Sequence, residues 1–188
     1  MTERTDLCRC SDSLLLVVDM QERLADAVPA EDFNPAATNT VMLLQAAAGL
    51  EIPVVRTEQY PKGLGKTVAA LQPHLSEAAV KLDKTGFSCC SAGGFMEALQ
   101  SMQRRQVIIA GMETHICVLQ TAFELQQRGY QVFVAADACC ARSRERSSNG
   151  IQRLRQAGIA VTHSESVLFE WLRDATHPHF KTLSKLLK

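Results

Sequence analysis

Leu14-Leu-Leu-Val-Val-Asp19 is an uninterrupted apolar run that stops at an acid. A run of this kind is typical of a strand buried on both faces of a parallel sheet. Gln106-Val-Ile-Ile-Ala110 and Gln131-Val-Phe-Val-Ala135 repeat the pattern later in the chain. Longer segments with helical periodicity separate such runs. This alternation predicts an α/β fold in which helices cover both faces of one parallel sheet, a three-layer αβα sandwich.

The remaining boundaries come from capping and turn residues. Asn34 and Pro35 predict the start of a long helix, because asparagine favours the N-cap and proline the first helical position. The glycine-rich segment 58–66 predicts a loop. The predicted strands are 14–19, 52–56, 79–82, 106–110, 131–135 and 159–162. The predicted helices are 34–49, 91–102, 114–128, 143–157, 164–173 and 177–187.

Composition and charge exclude several classes of protein. A length of 188 residues fits one domain, and the hydrophobic fraction of 46% and charged fraction of 21% are typical of soluble globular proteins. The 20 basic and 20 acidic residues cancel, unlike the basic surface of a nucleic-acid binder. No apolar run is long enough to span a bilayer. We therefore expect a single domain over residues 1–188 that binds neither nucleic acid nor membrane.

Seven cysteines, an odd number, include the adjacent pairs Cys89–Cys90 and Cys139–Cys140. Neighbouring cysteines form poor disulfides, and the polar, acid-containing first ten residues predict no secretory signal peptide. Reduced thiols and a cytoplasmic location are therefore expected. No Cys-x-x-Cys pair occurs, so the sequence predicts no structural zinc site.

Polar residues follow several predicted strands, at the sheet edge where open α/β proteins bind their ligands. Asp19 follows the first strand, Thr57-Glu-Gln59 the second, Lys84 the third and Asp137 the fifth. Position alone leaves other roles open. Asp19 could instead cap the next helix, and Lys84 could be a solvated loop lysine.

Cys117 is the most specific of these candidates. It follows the fourth strand through Gly111-Met-Glu-Thr-His-Ile, with Thr114 as the expected N-cap, so its sulfur would lie in the first turn of a helix. Exposed N–H groups and the helix dipole depress a thiol pKa there, which favours a reactive thiolate. A buried structural cysteine is the alternative.

Two motifs of nucleotide-binding proteins are incomplete. Gly63-Leu-Gly-Lys-Thr67 resembles the end of a phosphate-binding loop, but Tyr60 stands where that loop requires its first glycine. No G-x-G-x-x-G motif follows the first strand, as a dinucleotide-binding domain would require. We therefore expect no nucleotide cofactor, and no other cofactor is predicted.

Three ordered motifs resemble those of the isochorismatase-like cysteine hydrolase superfamily, which includes nicotinamidases and carbamoylsarcosine amidase. They are Val17-Val-Asp19-Met-Gln21, Lys84-Thr-Gly-Phe87 and Gly111-Met-Glu-Thr-His-Ile-Cys117, at the ends of the first, third and fourth strands. Further segments resemble the short isochorismatase-domain-containing proteins: Thr57–Gly65, Asp137-Ala-Cys139 and Asp174–Lys181. The resemblance runs from about Leu14 to Leu187.

The resemblance implies six parallel strands in Rossmann-like order and a catalytic triad of Asp19, Lys84 and Cys117. It also implies a non-proline cis peptide between Met112 and Glu113, with the N–H groups of Glu113 and Cys117 as an oxyanion hole. The loop after the second strand lacks the histidines of the nicotinamidase metal site, so no catalytic metal is expected. The expected substrate pocket is lined by Gln21, Gln59, Tyr60, Phe87, Met112 and Thr114.

The implied chemistry is hydrolysis of a small amide or related C–N substrate through a thioester. Two alternatives stay open: a vinyl-ether hydrolase of the isochorismatase type, which does not use a nucleophilic cysteine, and a non-catalytic small-molecule-binding or scaffold protein with the same fold. Glu113 stands where the amidases usually have a small residue, and its direction is also open. The resemblance further implies a homo-oligomer, dimer or tetramer.

Overall fold

The computed structural model describes residues 7–187. The expected lack of a signal peptide falls largely on residues 1–6, outside the described residues. The six strands are β1 Ser13–Val18, β2 Val54–Gln59, β3 Val80–Lys84, β4 Gln106–Met112, β5 Gln131–Cys140 and β6 Ala160–Thr162. All neighbouring strands pair in parallel, in the order β3-β2-β1-β4-β5-β6. The α/β class and the Rossmann-like sheet are confirmed.

Helices cover both faces of this sheet. They are α1 Glu22–Asp26, α2 Ala30–Gly49, α3 Pro61–Leu64, α4 Phe95–Ser101, α5 Leu119–Gln127, α6 Arg144–Gln156, α7 Ser164–Leu172 and α8 Phe180–Leu183. Residues of α2 and α7 form one core cluster with Leu15 and Val17 of β1, whereas residues of α4, α5 and α6 form the other with Leu14, Leu16 and Val18. Because β1 is buried on both faces, its sequence is apolar without alternation.

The predicted start of α2 is wrong. The helix begins at Ala30, after Pro29, and Pro35 lies inside it instead of at its first position. The carbonyl of Pro29 accepts hydrogen bonds from the N–H groups of Asp32 and Phe33, and acidic side chains in this first turn complement the helix dipole. Pro35 removes one backbone hydrogen bond near the helix start, a loss that a 20-residue helix tolerates.

β5 is longer than predicted, so Asp137 and the Cys139–Cys140 pair lie within the strand and not after it. Asp137 does not face the ligand-binding edge as a free acid. Its carboxylate accepts the N–H and the hydroxyl of Ser164 at 2.8 and 2.6 Å and thereby caps α7. The helix predicted over 91–102 is shorter, because a turn at Cys89–Ser91 capped by Ser88 comes first. Within residues 7–187, no helix is long and apolar enough to cross a membrane.

Candidate active site

The sheet order places the site. β1 pairs with β2 on one side and with β4 on the other, and the chain crosses from one half of the sheet to the other between β3 and β4. The carboxyl ends of β1 and β4 therefore flank the topological switch point, where open α/β sheets bind ligands. Asp19 follows β1 directly, and the turn that carries Cys117 follows β4.

Gly111 sets the close approach of β4 to β1 just before that turn. Its φ is +130°, and a Cβ atom at this position would overlap the carbonyl oxygen of Val18. Glycine alone accommodates both constraints. The next peptide, between Met112 and Glu113, is cis, as the resemblance implies. The backbone after β4 is thus held against the end of β1.

Cys117 lies in a single π-helical turn, Thr114–Val118, that continues into α5. Turns of this type are frequent at functional sites. The expected capping role of Thr114 is wrong, because its hydroxyl donates to the carbonyl of Cys140 at 3.0 Å and accepts from Ser147 at 3.1 Å. Helix α6 packs on this turn through Gly150, where a Cβ atom would lie 2.9 Å from the Cα of His115.

Asp19, Lys84 and Cys117 come together as the resemblance implies. Nζ of Lys84 lies 2.6 Å from Oδ2 of Asp19, and the thiol of Cys117 lies beside the same carboxyl group, close enough for the two to shift each other's pKa. All three residues are buried, at 0%, 4% and 6% exposure. Asp19 has a left-handed φ of +48°, a conformation that aspartate tolerates better than most residues. Helix capping by Asp19 has no support, because its carboxylate faces Lys84, Cys117 and Thr57.

Lys84 is the last residue of β3 and not a solvated loop lysine. Besides contacting Asp19, its ammonium donates to Oε1 of Gln59 at 2.7 Å and to the carbonyls of Phe87 and Gly86 at 2.9 and 3.2 Å. An ammonium has three N–H bonds, so these four oxygens use its full donor capacity. Lys84 therefore connects Asp19 to the turn that follows β3 through an ion pair and hydrogen bonds.

The protonation states differ from the sequence prediction. Burial and the charge of Asp19 raise the pKa of the Cys117 thiol to about 12, although Lys84 opposes the shift. The predicted depression of the thiol pKa differs from this direction, because burial and the charge of Asp19 both raise the pKa of Cys117. Burial also raises the pKa of Asp19, against the hydrogen bonds and charge that favour its ionised form. Burial alone would lower the pKa of Lys84, but Asp19 and Cys117 outweigh it and the pKa is raised.

The residues expected to line a substrate pocket fall into two groups. Tyr60 and Phe87 are each 55% exposed. Gln59 is partly buried and is oriented by donation from its Nε2 to the carbonyl of Thr85 at 2.7 Å. Gln21, Met112 and Thr114 are fully buried. The pocket assignment of all six stays a prediction.

The buried side chain of Gln21 is hydrogen-bonded to backbone groups. Its side-chain amide accepts from the N–H of Gln59 at 2.6 Å and donates to the carbonyls of Gln59 and Gly65 at 3.0 and 2.7 Å. It therefore ties the end of β2 to the glycine-rich loop, which contains the short helix α3.

A cavity of about 410 Å³ lies beside the end of β3. Its lining includes Lys84 and Tyr60, together with Ala92 and Gly93 from the segment before α4, but not Cys117. Within residues 7–187, no group of three or more His, Cys, Asp or Glu side chains is placed to hold a metal ion.

The direction of Glu113 is settled by Arg142. Oε1 of Glu113 accepts from Nε of Arg142 at 2.8 Å and from its backbone N–H at 3.3 Å. The side chain of Glu113 is 9% exposed and that of Arg142 47%. The carboxylate is therefore paired with a guanidinium at the start of the β5–α6 connection.

Sequence reasoning missed the roles of Thr57 and Cys89. Thr57 donates to Oδ1 of Asp19 at 2.8 Å, and the sulfur of Cys89 lies 3.5 Å from the Thr57 hydroxyl. The position of Thr57 near the end of β2 was a usable signal. No local pattern indicated Cys89, because its place beside Thr57 depends on the turn after β3.

Comparison with known proteins places the chain in a family. It matches the isochorismatase domain family over residues 13–166. The chain belongs to the isochorismatase family.

Isochorismatase domain-containing protein 2 of Xenopus laevis is 40% identical over 93% of this chain and 83% of its own length. The protein of the same name from Danio rerio is also 40% identical, over 93% of this chain and 86% of its own length. A solved structure described as the MAR1 ribonuclease of Caenorhabditis elegans shares 37% identity and a TM-score of 0.90, covering 96% of this chain and 92% of that one. This isochorismatase-family chain thus shares its fold with a protein that is described as a ribonuclease.

Proposed function

We propose that this protein is a cysteine hydrolase that acts, without a cofactor or metal, on a small amide or related C–N substrate. One observation carries the proposal: the carboxylate of Asp19 lies beside the Cys117 thiol and 2.6 Å from the Lys84 ammonium, at the switch point of the sheet. A base beside a nucleophile, with a third group orienting the base, is the recurring arrangement of covalent hydrolases.

The first half-reaction forms the thioester. The Cys117 proton passes to Asp19 while the sulfur forms a bond to the carbonyl carbon, and the displaced electron pair resides on the carbonyl oxygen. The backbone N–H groups of Glu113 and Cys117 are the proposed donors to that oxyanion. As the carbonyl re-forms, the C–N bond breaks and Asp19 returns its proton to the nitrogen. Ammonia leaves when the substrate is a primary amide.

The second half-reaction releases the acid. Water attacks the thioester carbon while Asp19 accepts one of its protons. The C–S bond then breaks, and Asp19 returns the proton to the Cys117 sulfur. Because the resting thiol pKa is about 12, a base in direct contact is needed at neutral pH, and Asp19 supplies it. Lys84 compensates the negative charge that moves between the carboxylate and the sulfur.

The wider assignments are part of the same proposal. Tyr60 and Phe87, both half-exposed, offer aromatic surface beside the triad, and Gln21, Gln59, Met112 and Thr114 shape the wall behind it. We place the protein in the cytoplasm as a single domain over residues 1–188. A homo-oligomer, dimer or tetramer, is proposed from the resemblance.

The test is a panel of small aryl and alkyl amides, with ammonia release measured for the wild type, Cys117→Ala and the control Cys90→Ala. Cys90 is a partly buried thiol whose charged neighbours are Arg128 and Glu124, not the residues of the proposed triad. We expect Cys117→Ala to lose turnover by about a thousandfold or more and Cys90→Ala to keep it. Retained turnover in Cys117→Ala would refute the nucleophile. Cleavage of a vinyl ether in place of any amide would favour the isochorismatase-type alternative, and binding without cleavage the scaffold alternative.

A further inference from the structure

The Thr57 hydroxyl has two partners and a single hydrogen. Its oxygen lies 2.8 Å from Oδ1 of Asp19 and 3.5 Å from the sulfur of Cys89. An ionised carboxylate only accepts, so the hydroxyl hydrogen points to Asp19. The Cys89 thiol is then the donor to the Thr57 oxygen. Burial raises the pKa of Cys89 to about 12, so this thiol carries its hydrogen at neutral pH.

Cys89 is itself held in place. It is fully buried, and its backbone N–H donates to the hydroxyl of Thr121 at 2.9 Å. Thr121 lies in α5, the helix that continues from the Cys117 turn. A line of buried contacts therefore runs from α5 through Cys89 and Thr57 to the proposed base.

We propose that Thr57 is a positioning residue whose hydroxyl, directed by the Cys89 thiol, holds the Asp19 carboxylate in the orientation that receives the Cys117 proton. This inference rests on the proposed function, because it requires Asp19 to act as the base. It adds two residues that never touch the reacting atoms of the substrate.

The groups that face Asp19 come from several elements. Lys84 reaches it from β3, Cys117 from the π-helical turn, Thr57 from β2, and the Cys89 thiol lies behind Thr57. The Thr57 hydrogen bond favours the ionised carboxylate, so its loss leaves burial less opposed and raises the pKa of Asp19 further. Thr57→Val removes this hydrogen bond with little change in shape, and Thr57→Ser preserves it.

The measurement is the pH dependence of Cys117 alkylation by iodoacetamide, followed by mass spectrometry of the Cys117 peptide. It requires no substrate. The wild-type rate should rise with pH through an inflection that depends on Asp19 and is absent in Asp19→Asn. We expect Thr57→Val to move this inflection upward by about one pH unit, and Thr57→Ser to return it to the wild-type position.

Thr67→Val is the matched control. Thr67 is a buried threonine whose hydroxyl also donates to a carboxylate, that of Glu58, at 2.8 Å. Its loss should leave the Cys117 inflection in place, because Glu58 does not contact the triad. Cys89→Ala should shift the inflection in the same direction as Thr57→Val but by less, and Cys89→Ser, which keeps a donor, should restore it. Cys89→Ala also serves if Thr57→Val fails to fold.

The outcomes separate the two proposals. A wild-type inflection that Asp19→Asn leaves unchanged would remove the base and with it the proposed function. An inflection that depends on Asp19 but coincides in wild type, Thr57→Val and Cys89→Ala would overturn only the positioning role. An equal shift in Thr67→Val would show that the effect is general loss of packing, and would overturn it as well.

Discussion

Asp19 and Glu58 are two buried carboxylates that each contact a lysine of β3, and their surroundings give them opposite properties. Oδ2 of Asp19 lies 2.6 Å from Lys84, and Oε2 of Glu58 lies 2.8 Å from Lys81. Both carboxylate side chains are at most 2% exposed. Burial raises the pKa of Asp19, and the opposing effects of Lys84, Thr57 and Cys117 are too small to reverse the shift. For Glu58 burial acts in the same direction, but its donors outweigh it and the pKa is lowered.

The difference lies in what surrounds each acid. Glu58 accepts the N–H and the hydroxyl of Thr67 at 2.9 and 2.8 Å, and Arg56 lies 3.6 Å away. Its lysine is 39% exposed and also contacts Asp83. Asp19 accepts one hydroxyl, from Thr57, and its other neighbours are a completely buried lysine and a thiol. The surroundings of Glu58 therefore favour its anionic form, which ties the loop at Thr67 to β2, whereas burial shifts Asp19 toward its protonated form.

Neutralising each acid in turn should give the largest difference between Asp19 and Glu58. Asp19→Asn should lower kcat/KM for ammonia release by about 10²- to 10⁴-fold, the usual contribution of a general base. Glu58→Gln should leave kcat/KM within about threefold, because it contacts none of the reacting groups. Similar losses in both variants would mean that Asp19 acts through the fold and not through proton transfer.

Replacing Lys84 should lower the free energy of unfolding more than replacing Lys81. Lys84→Met leaves the buried Asp19 without its cation and should lower the free energy of unfolding by about 3–5 kcal/mol. Lys81→Met removes a partly exposed partner, while Thr67 and Arg56 still serve Glu58, and should cost about 1 kcal/mol or less. Urea denaturation midpoints measure both losses. Equal losses would contradict the view that Lys84 is the one fully buried counter-ion of this pair.

The sequence was sufficient to predict the sheet and to predict that Asp19, Lys84 and the Cys117 turn follow strands at its carboxyl edge. The apolar run Leu14–Val18 reports burial on both faces of β1, and the position of polar residues after strands reports the carboxyl edge. Both patterns depend only on residues near each other in the sequence, so they predict the strands and their polar ends correctly. The role of each triad member came from the resemblance, because Lys81 and Lys84 look alike in a β3 sequence that reads Val-Lys-Leu-Asp-Lys.

The parts that sequence reasoning got wrong depend on depth and on distant contacts. The position of Cys117 at a helix start predicts a lowered pKa, whereas burial raises it, because a pattern of residues does not report how far a thiol lies from water. The Thr114 hydroxyl is used by β5 and α6, which are 26 and 33 residues away along the chain. Cys89 reaches Thr57 across 32 residues. Only the packed structure brings these groups together.

The pH dependence of the free energy of unfolding tests the directions of the two pKa shifts. Because the folded-state pKa of Glu58 lies below its ordinary value of about 4.5, the ionised group stabilises the fold above that pH, and this contribution is lost as pH falls through the folded pKa. Because the pKa of Asp19 lies above its ordinary value of about 3.8, the folded protein binds more protons there, and stability declines as pH rises from that value through the folded pKa.

Urea midpoints measured between about pH 3 and 6 should therefore show opposite trends for the two acids. The stability of wild type relative to Glu58→Gln should increase with pH, and that of wild type relative to Asp19→Asn should decrease. Two curves with slopes of the same sign would mean that the surroundings of Asp19 favour its carboxylate as strongly as those of Glu58 do, and the contrast between a proton acceptor and a structural anion would be lost.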